Sequence, residues 1–358
     1  MQRFDVRLAD TRKQKPQDEN QLGFGTLFTD HMFVMDYTPE RGWYDARIEP
    51  YAPFSIDPAC CVLHYAQTIF EGLKCYRRAD GGLQLFRAPD NFARMNRSAQ
   101  RICMPEIDVD FAMEALCALL RVDAEWVPHA PGTTLYIRPT MIATDPMLAV
   151  HASKSYRFFI ILSPVGAYYP SGLAPVGIWV EDAHVRAVPG GVGHTKTGGN
   201  YAASILAGAR ASQLGFAQVL WLDGRENKYI EEVGSMNMFF LFRDGLVTPP
   251  LNGSILPGIT RDSILTLARE LGYPVYERRL TIQEVFDAAQ DGSLLEAFGT
   301  GTAAVVSPVG LLRWGQREAT LCGGEIGPLT QKLYDTLTGI QYGTLSDPHG
   351  WIVPVDAI

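Results

Sequence analysis

Apolar positions along the chain recur with two periods, and the switches between them mark out its elements. From Phe24 to Leu63, short apolar runs alternate with turn residues at Asp30-His31, Pro39-Glu40-Arg41-Gly42 and Pro53, which predicts strands and loops. The first 22 residues carry few apolar anchors and read as extended or mobile. Within 63–78, Tyr65, Ile69 and Leu73 fall at helical spacing, and a strand is expected at Cys75-Tyr76. The turn Asp80-Gly81-Gly82 then leads into LQLF, the partner strand of a hairpin. A helix is predicted from Pro89-Asp90 to about Ile102, with Phe92, Met95 and Ala99 on its apolar face. A second begins at Asp110 as N-cap, with Phe111, Ala115, Leu119 and Val122 in phase.

Segments 133–143 and 156–163 are rich in β-branched and aromatic residues and read as strands. Between Pro164 and Pro175 the pattern is broken by Pro, Gly and Tyr, the composition of an interdomain loop. Periodicity resumes with a strand over 176–182 and a helix from Tyr201 to about Leu214. Strands at 217–223 and 236–242 follow, with turns at Asp223-Gly224 and Asp244-Gly245. A helix opening near Thr260 ends at Gly272 with Pro274 beyond, and a last one covers about 326–340. The chain therefore divides into a smaller domain over 1–163, a loop over 164–175 and a larger domain over 176–358.

A length of 358 residues allows two ordinary domains, and 47% hydrophobic with 20% charged residues is a soluble globular composition. The net charge of −8 argues against nucleic acid or an anionic membrane as partner. No apolar run reaches membrane-spanning length, and the polar N-terminus lacks a signal-peptide core. The six cysteines form no CxxC pair and read as reduced thiols of a cytoplasmic protein. The scattered histidines include no HExxH, so no metal site is expected.

Candidate chemistry gathers around His194–Ser204, HTKTGGNYAAS. Lys196 has glycines on both sides, which let the backbone approach a ligand closely, so its amine is placed to meet a carbonyl. A solvated loop lysine is the plainer alternative. A phosphate loop is the other, but Thr195 stands where its second glycine must be. Leu256-Pro257-Gly258-Ile259-Thr260 leads into a helix N-terminus suited to a phosphate dianion, unless Thr260 is only a cap. Arg94 can clamp an oxyanion or simply lie at the surface. Glu231-Glu232 enter a very apolar strand, where alternation turns one of them inward. The FGTGTAA stretch can line an anion site or merely join two strands, and Tyr136 with Arg138 share one strand face suited to a carboxylate. Carbonyl, phosphate, basic ring nitrogen and nearby carboxylate together describe pyridoxal 5′-phosphate with an amino acid.

The motifs LHYAQTIFEGLK, RMNRSA, LYIRPT, KTGGNYAAS, EVGSMN, LPGITRDS and GTGTAAVV occur in an order that resembles the branched-chain amino-acid aminotransferases of fold type IV. The resemblance covers nearly the whole chain. It implies an α+β fold of two domains, each a mainly antiparallel or barrel-like sheet with packed helices. It also implies reversible amino transfer from L-leucine, L-isoleucine or L-valine to 2-oxoglutarate, by a ping-pong cycle on lysine-bound pyridoxal phosphate in a cytoplasmic homodimer. By position, Lys196 becomes the Schiff-base lysine, Tyr201 the partner of the phenolic oxygen and Glu232 that of the pyridine nitrogen. Arg94, Ile259, Thr260 and Thr302 match phosphate-binding positions. Tyr65, Phe70, Tyr136, Arg138 and Ala303 match the substrate pocket, with Tyr65 a candidate for supply by the neighbouring subunit, and Tyr168 falls on the interdomain loop. Arg186 matches a position near the cofactor without a stated role. Ala304 and Ser307 replace the CxxC redox pair of some animal members, so thiol switching is not expected. A D-amino-acid aminotransferase or an aminodeoxychorismate lyase of the same fold class is the alternative, disfavoured by YIRPT and EVGSMN.

Overall fold

A computed structural model describes residues 4–166, 168 and 172–358, so part of the expected interdomain loop lies outside the described residues. The chain forms two compact units. The first takes residues 1–168, 195–198 and 339–358, and the second takes 169–194 and 199–338.

The first unit is built on a nine-stranded sheet. Its centre is the long antiparallel pair Thr134–Ala143 and Tyr156–Val165, flanked by His31–Thr38 on one side and Leu73–Arg77 on the other. Alternation sends Leu73, Cys75, Leu135, Ile137, Ile160 and Leu162 into a core shared with Phe92, Met95, Ala99, Ala115, Leu116 and Leu119. Those last six come from the helices Ala88–Arg101 and Val109–Val122, so only one face of the sheet's centre is committed to the core. Asp108, rather than Asp110, caps the second helix, its carboxylate accepting from Phe111 N at 2.9 Å. The helix expected through Leu73 stops at Tyr65, where Ala66 turns left-handed with φ 50°. Thr68–Phe70 then pairs with Thr134–Ala143, and sheet pairing overrides the local helical spacing.

Two described residues before Leu22 bond to the start of the strand His31–Thr38 and the residue before it. Ala9 N–H donates to His31 Nε2 at 2.9 Å and Lys13 N–H to Asp30 Oδ1 at 2.7 Å. Buried His31 in turn meets Asp123 at 2.7 Å. The chain's end also returns here, with Ile352–Pro354 pairing with Leu83–Phe86.

In the second unit the strands Ile230–Val233, Gln218–Leu222, Val176–Glu181, Val305–Trp314, Leu294–Gly301 and Met236–Phe242 follow one another in the sheet. The last pairs back onto the first through Glu232 opposite Asn237, closing a barrel. Its apolar filling includes Ile178, Leu220, Val233, Met238, Phe240 and Leu312. The helices Ile259–Glu270 and Ile282–Asp291 pack against Leu294–Gly301, and the second of them was not foreseen from periodicity. No described helix is long and apolar enough to cross a membrane.

Candidate active site

Lys196 belongs to the first unit, where its backbone is held on both sides. Its N–H donates to Ser98 Oγ at 3.0 Å, and its carbonyl accepts from Phe70 N at 3.0 Å. Thr197 adds a bridge to Ile69, and its hydroxyl donates to the Thr68 carbonyl at 2.7 Å. A glycine-flanked loop is thereby fixed against Thr68–Phe70. Lys196 Nζ lies 5.0 Å from the Phe70 ring centre, and the Arg138 guanidinium carbon lies 4.6 Å from that same centre. Arg138 donates to the Tyr136 hydroxyl at 3.0 Å. Phe24 meets Tyr136 and Tyr168 edge-on at 5.0 and 5.4 Å. Lys196, Phe70, Arg138, Tyr136 and Tyr168 thus stand in one chain of contacts.

Two residues that sequence reasoning did not single out shape this group. A Cβ at Gly72 would come within 2.1 Å of the Tyr136 hydroxyl oxygen, so only glycine leaves that hydroxyl its place. Glu71, fully buried, grips Arg94 with two 2.8 Å contacts, Nε to Oε1 and Nη2 to Oε2. Arg94 is therefore a buried, oriented arginine rather than a surface one, and Nη1 lies outside the fork to Glu71. Glu71-Gly72 sat inside a recognised motif, but nothing local marked either as part of a site. Tyr65 stands apart, 39% exposed, with its ring near His64.

In the second unit both Glu231 and Glu232 are buried, where alternation placed only one inside. The strand is part of a closed barrel and each face is covered. Glu232 Oε1 accepts from Leu256 N at 3.0 Å and from Asn237 Nδ2 at 3.3 Å, while Oε2 meets Arg186 Nε at 2.8 Å. Arg186 supplies the opposite charge that a buried carboxylate requires, and it also donates to the carbonyls of Gly193 and Ser254. Glu231 instead accepts from Ser254 Oγ and from Asn252 Nδ2 at 3.1 Å. Burial raises its pKa above the ordinary glutamate value, against the lowering effect of those two donors and of Arg186.

Asn237 links Glu232 to a helix start. Its amide donates to the Leu256 carbonyl at 3.0 Å, and a Cβ at Gly258 would lie 2.0 Å from its Oδ1. Gly258, not Thr260, caps the helix Ile259–Glu270, and no side chain covers the cap. Ile259 and Thr260 occupy its first turn, where backbone N–H groups suit a phosphate. Thr302 and Ala303 form the turn before Val305–Trp314, closed by Val305 at φ 62°, a strained conformation for a β-branched residue. Tyr201 lies in the short helix Gly198–Ala202. The single helix expected from there to Leu214 is broken, because Ser204 Oγ bonds the Tyr201 carbonyl at 2.7 Å.

Each unit by itself holds groups that suit part of a phosphorylated pyridine aldehyde: a loop amine and a buried arginine in the first, and a buried carboxylate with its own countercharge and a helix N-terminus without a side-chain cap in the second.

Comparison with known proteins places the chain in a family. Residues 68–312 match the family described as Amino-transferase class IV. The Bacillus subtilis (strain 168) branched-chain-amino-acid aminotransferase 2 is 55% identical over 357 residues, covering 100% of this chain and 98% of that protein. The crystal structure of the Escherichia coli branched-chain amino acid aminotransferase superposes with a TM-score of 0.77 at 29% identity, covering 91% of this chain and 99% of that one. The Thermobaculum terrenum branched-chain amino acid aminotransferase in its PLP form gives 0.71 at 25% identity, covering 91% and 98%.

Proposed function

The chain belongs to the class IV aminotransferase family and is a transaminase, and from that premise we propose that it is a branched-chain-amino-acid aminotransferase using pyridoxal 5′-phosphate. The observation that carries the substrate reading is the group in the first unit: Arg138 donates to Tyr136 and lies against Phe70, with Phe24 and Tyr168 beyond. Aromatic walls suit the side chains of L-leucine, L-isoleucine and L-valine. One guanidinium among them suits the second carboxylate of 2-oxoglutarate. A difference of one methylene is worth only ~1–3 kcal/mol in such a pocket, so all three aliphatic substrates should be used.

Bound pyridoxal phosphate supplies the aldehyde that receives the amino group and a protonated ring that withdraws electrons from the substrate Cα. Lys196 Nζ would be the amine that holds the group's aldehyde, and the same amine would serve as the base for the substrate Cα proton. Glu232, oriented by Arg186, Asn237 and Leu256 N–H, keeps the proton on the ring nitrogen. Tyr201 donates to the phenolic oxygen. Arg94, Thr302 and the first turn holding Ile259 and Thr260 take the phosphate, and Ala303 lines the substrate side. The protein works as a cytoplasmic homodimer in which Tyr65 serves the neighbour. Exposed Leu63, Tyr65, Met147 and Leu148 support that assembly, with Cys61 N–H bonded to the Asp145 carbonyl between their two segments.

Steady-state rates with L-leucine and 2-oxoglutarate test the reading. Parallel double-reciprocal lines and no turnover of D-alanine are expected; intersecting lines, or a preference for D-alanine, would overturn it. An active species at the 39.5 kDa chain mass in light scattering would rule out the shared site.

A further inference from the structure

Glu231 is a buried carboxyl that the mechanism above does not use, and it stands beside one that it does. Where Ile230–Val233 pairs with Gln218–Leu222, Ile230 stands opposite Leu222 and Val233 opposite Leu220. Glu231 and Glu232 therefore share the single position of Trp221, a β-bulge. A bulge re-aims side chains, and here two consecutive carboxyls are buried where strict alternation buries one. The same two groups serve both. Arg186 Nε stands 2.8 Å from Glu232 Oε2 without being aligned to donate to it, and Nη2 donates to the Ser254 carbonyl. The hydroxyl of that same Ser254 bonds Glu231 Oε1. We infer that Glu231 is a positioning residue for Glu232: with a proton it anchors Ser254 and leaves Arg186 to its neighbour, and on ionising it draws that guanidinium away. This rests on the reading of Glu232 as partner of the ring nitrogen, and it adds a proton-controlled setting of that partner.

Three observations support it. Glu231 Oε2 is buried and has no hydrogen-bond partner among the described residues, a costly place for a negative charge. Second, Ser254 Oγ also lies 2.7 Å from Asn252 Oδ1, an oxygen identified by its bond from Ser254 N at 3.0 Å. One hydroxyl hydrogen serves one of the two oxygens it faces, and a proton on Glu231 satisfies the other contact. Third, burial raises the Glu231 pKa; Ser254, Asn252 and Arg186 oppose that rise and Asp223 adds to it. Asp223 is itself committed to four backbone N–H groups of the turn 225–229. His194 completes the titratable surroundings, its Nδ1 lying 2.9 Å from the carbonyl of Gly253, next to Ser254.

The test follows the Glu231 carboxyl by infrared titration of the holoenzyme, with the spectrum of the matched Glu231→Gln protein subtracted. A protonated-carboxyl band should disappear as pH rises above the ordinary glutamate range. In Glu232→Gln that loss should move to lower pH, because Arg186 is released to the Glu231 anion. Across the same pH range wild-type kcat for L-leucine should fall about 10-fold or more, the scale of one charged hydrogen bond, while Glu231→Gln holds its rate. A Glu231 carboxyl ionised throughout, or a kcat profile that Glu231→Gln leaves unchanged, overturns the inference. Full kcat in Glu232→Gln overturns instead the reading on which it rests. Should Glu231→Gln fail to fold, wild-type and Glu232→Gln titrations decide: a carboxyl loss that coincides with the wild-type kcat limb and moves down in Glu232→Gln supports the inference, and an unmoved one contradicts it.

Discussion

Among the described residues each unit holds an arginine–glutamate pair with both side chains buried, and the two pairs are built differently. In the first, Glu71 gives both oxygens to Arg94, and Oε2 also accepts from Gly72 N at 3.2 Å. In the second, Arg186 touches one oxygen of Glu232, and the other takes an N–H from Leu256 and from Asn237. A carboxylate has about four lone-pair positions, so Glu232 is not consumed by its countercharge. Buried ion pairs are weak sources of stability and are often replaceable by apolar residues. Their presence here fits two opposite tasks: the glutamate aims the arginine in one unit, and the arginine aims the glutamate in the other.

The sharpest break in that scheme is at the group neither pair supplies. Lys196→Ala should abolish turnover of L-leucine while the fold survives, checked by activity and circular dichroism; residual turnover near wild type would remove the reactive amine from Lys196. Next comes Glu71→Leu, which leaves Arg94 buried without its countercharge. Thermal or denaturant unfolding should show a loss of about 3–5 kcal/mol, the usual scale for breaking a buried pair from one side. If the comparison holds, added phosphate should recover part of that loss, because it offers Arg94 an anion.

Glu232→Gln should keep the fold and the bound cofactor but lower kcat by about 10²–10³-fold, the scale of one removed electrostatic contact in a preorganised site. The smallest effect is expected at its neighbour, Glu231→Gln, with activity near wild type. Because burial raises the Glu231 pKa, its neutral form is the favoured one, and glutamine imitates it. The stability contributed by that neutral form is complete below the unfolded-state pKa and is lost as pH rises through the raised folded value. Wild type should therefore lose stability relative to Glu231→Gln on the alkaline side. A crippled Glu231→Gln with an active Glu232→Gln would reverse the register of the two carboxylates.

Much of this was legible because local pattern and tertiary structure agree. Alternation around Tyr136 and Arg138 correctly put both on one face, and the apolar stripe Phe92, Met95, Ala99 correctly faced the core. Where long-range pairing decides, the pattern was silent or misleading. Gln84 bonds carbonyls 256 and 257 residues away, which no local signal announces. Ile69 lay at helical spacing from Tyr65 but joins a sheet, because its pairing partner Met141 is supplied by a distant strand. Gly72 and Glu71 were passed over for a similar reason: their roles are defined by Tyr136 and Arg94, which only the fold brings next to them. Both carboxylates of Glu231-Glu232 are buried because the barrel closes, a property of six strands rather than of one.

The most direct test of the account is to locate the lysine that carries the cofactor. The holoenzyme is reduced with borohydride, digested, and the modified lysine located by mass. The cofactor should be found on Lys196 alone; cofactor on any other lysine would contradict the assignment on which the proposed chemistry depends.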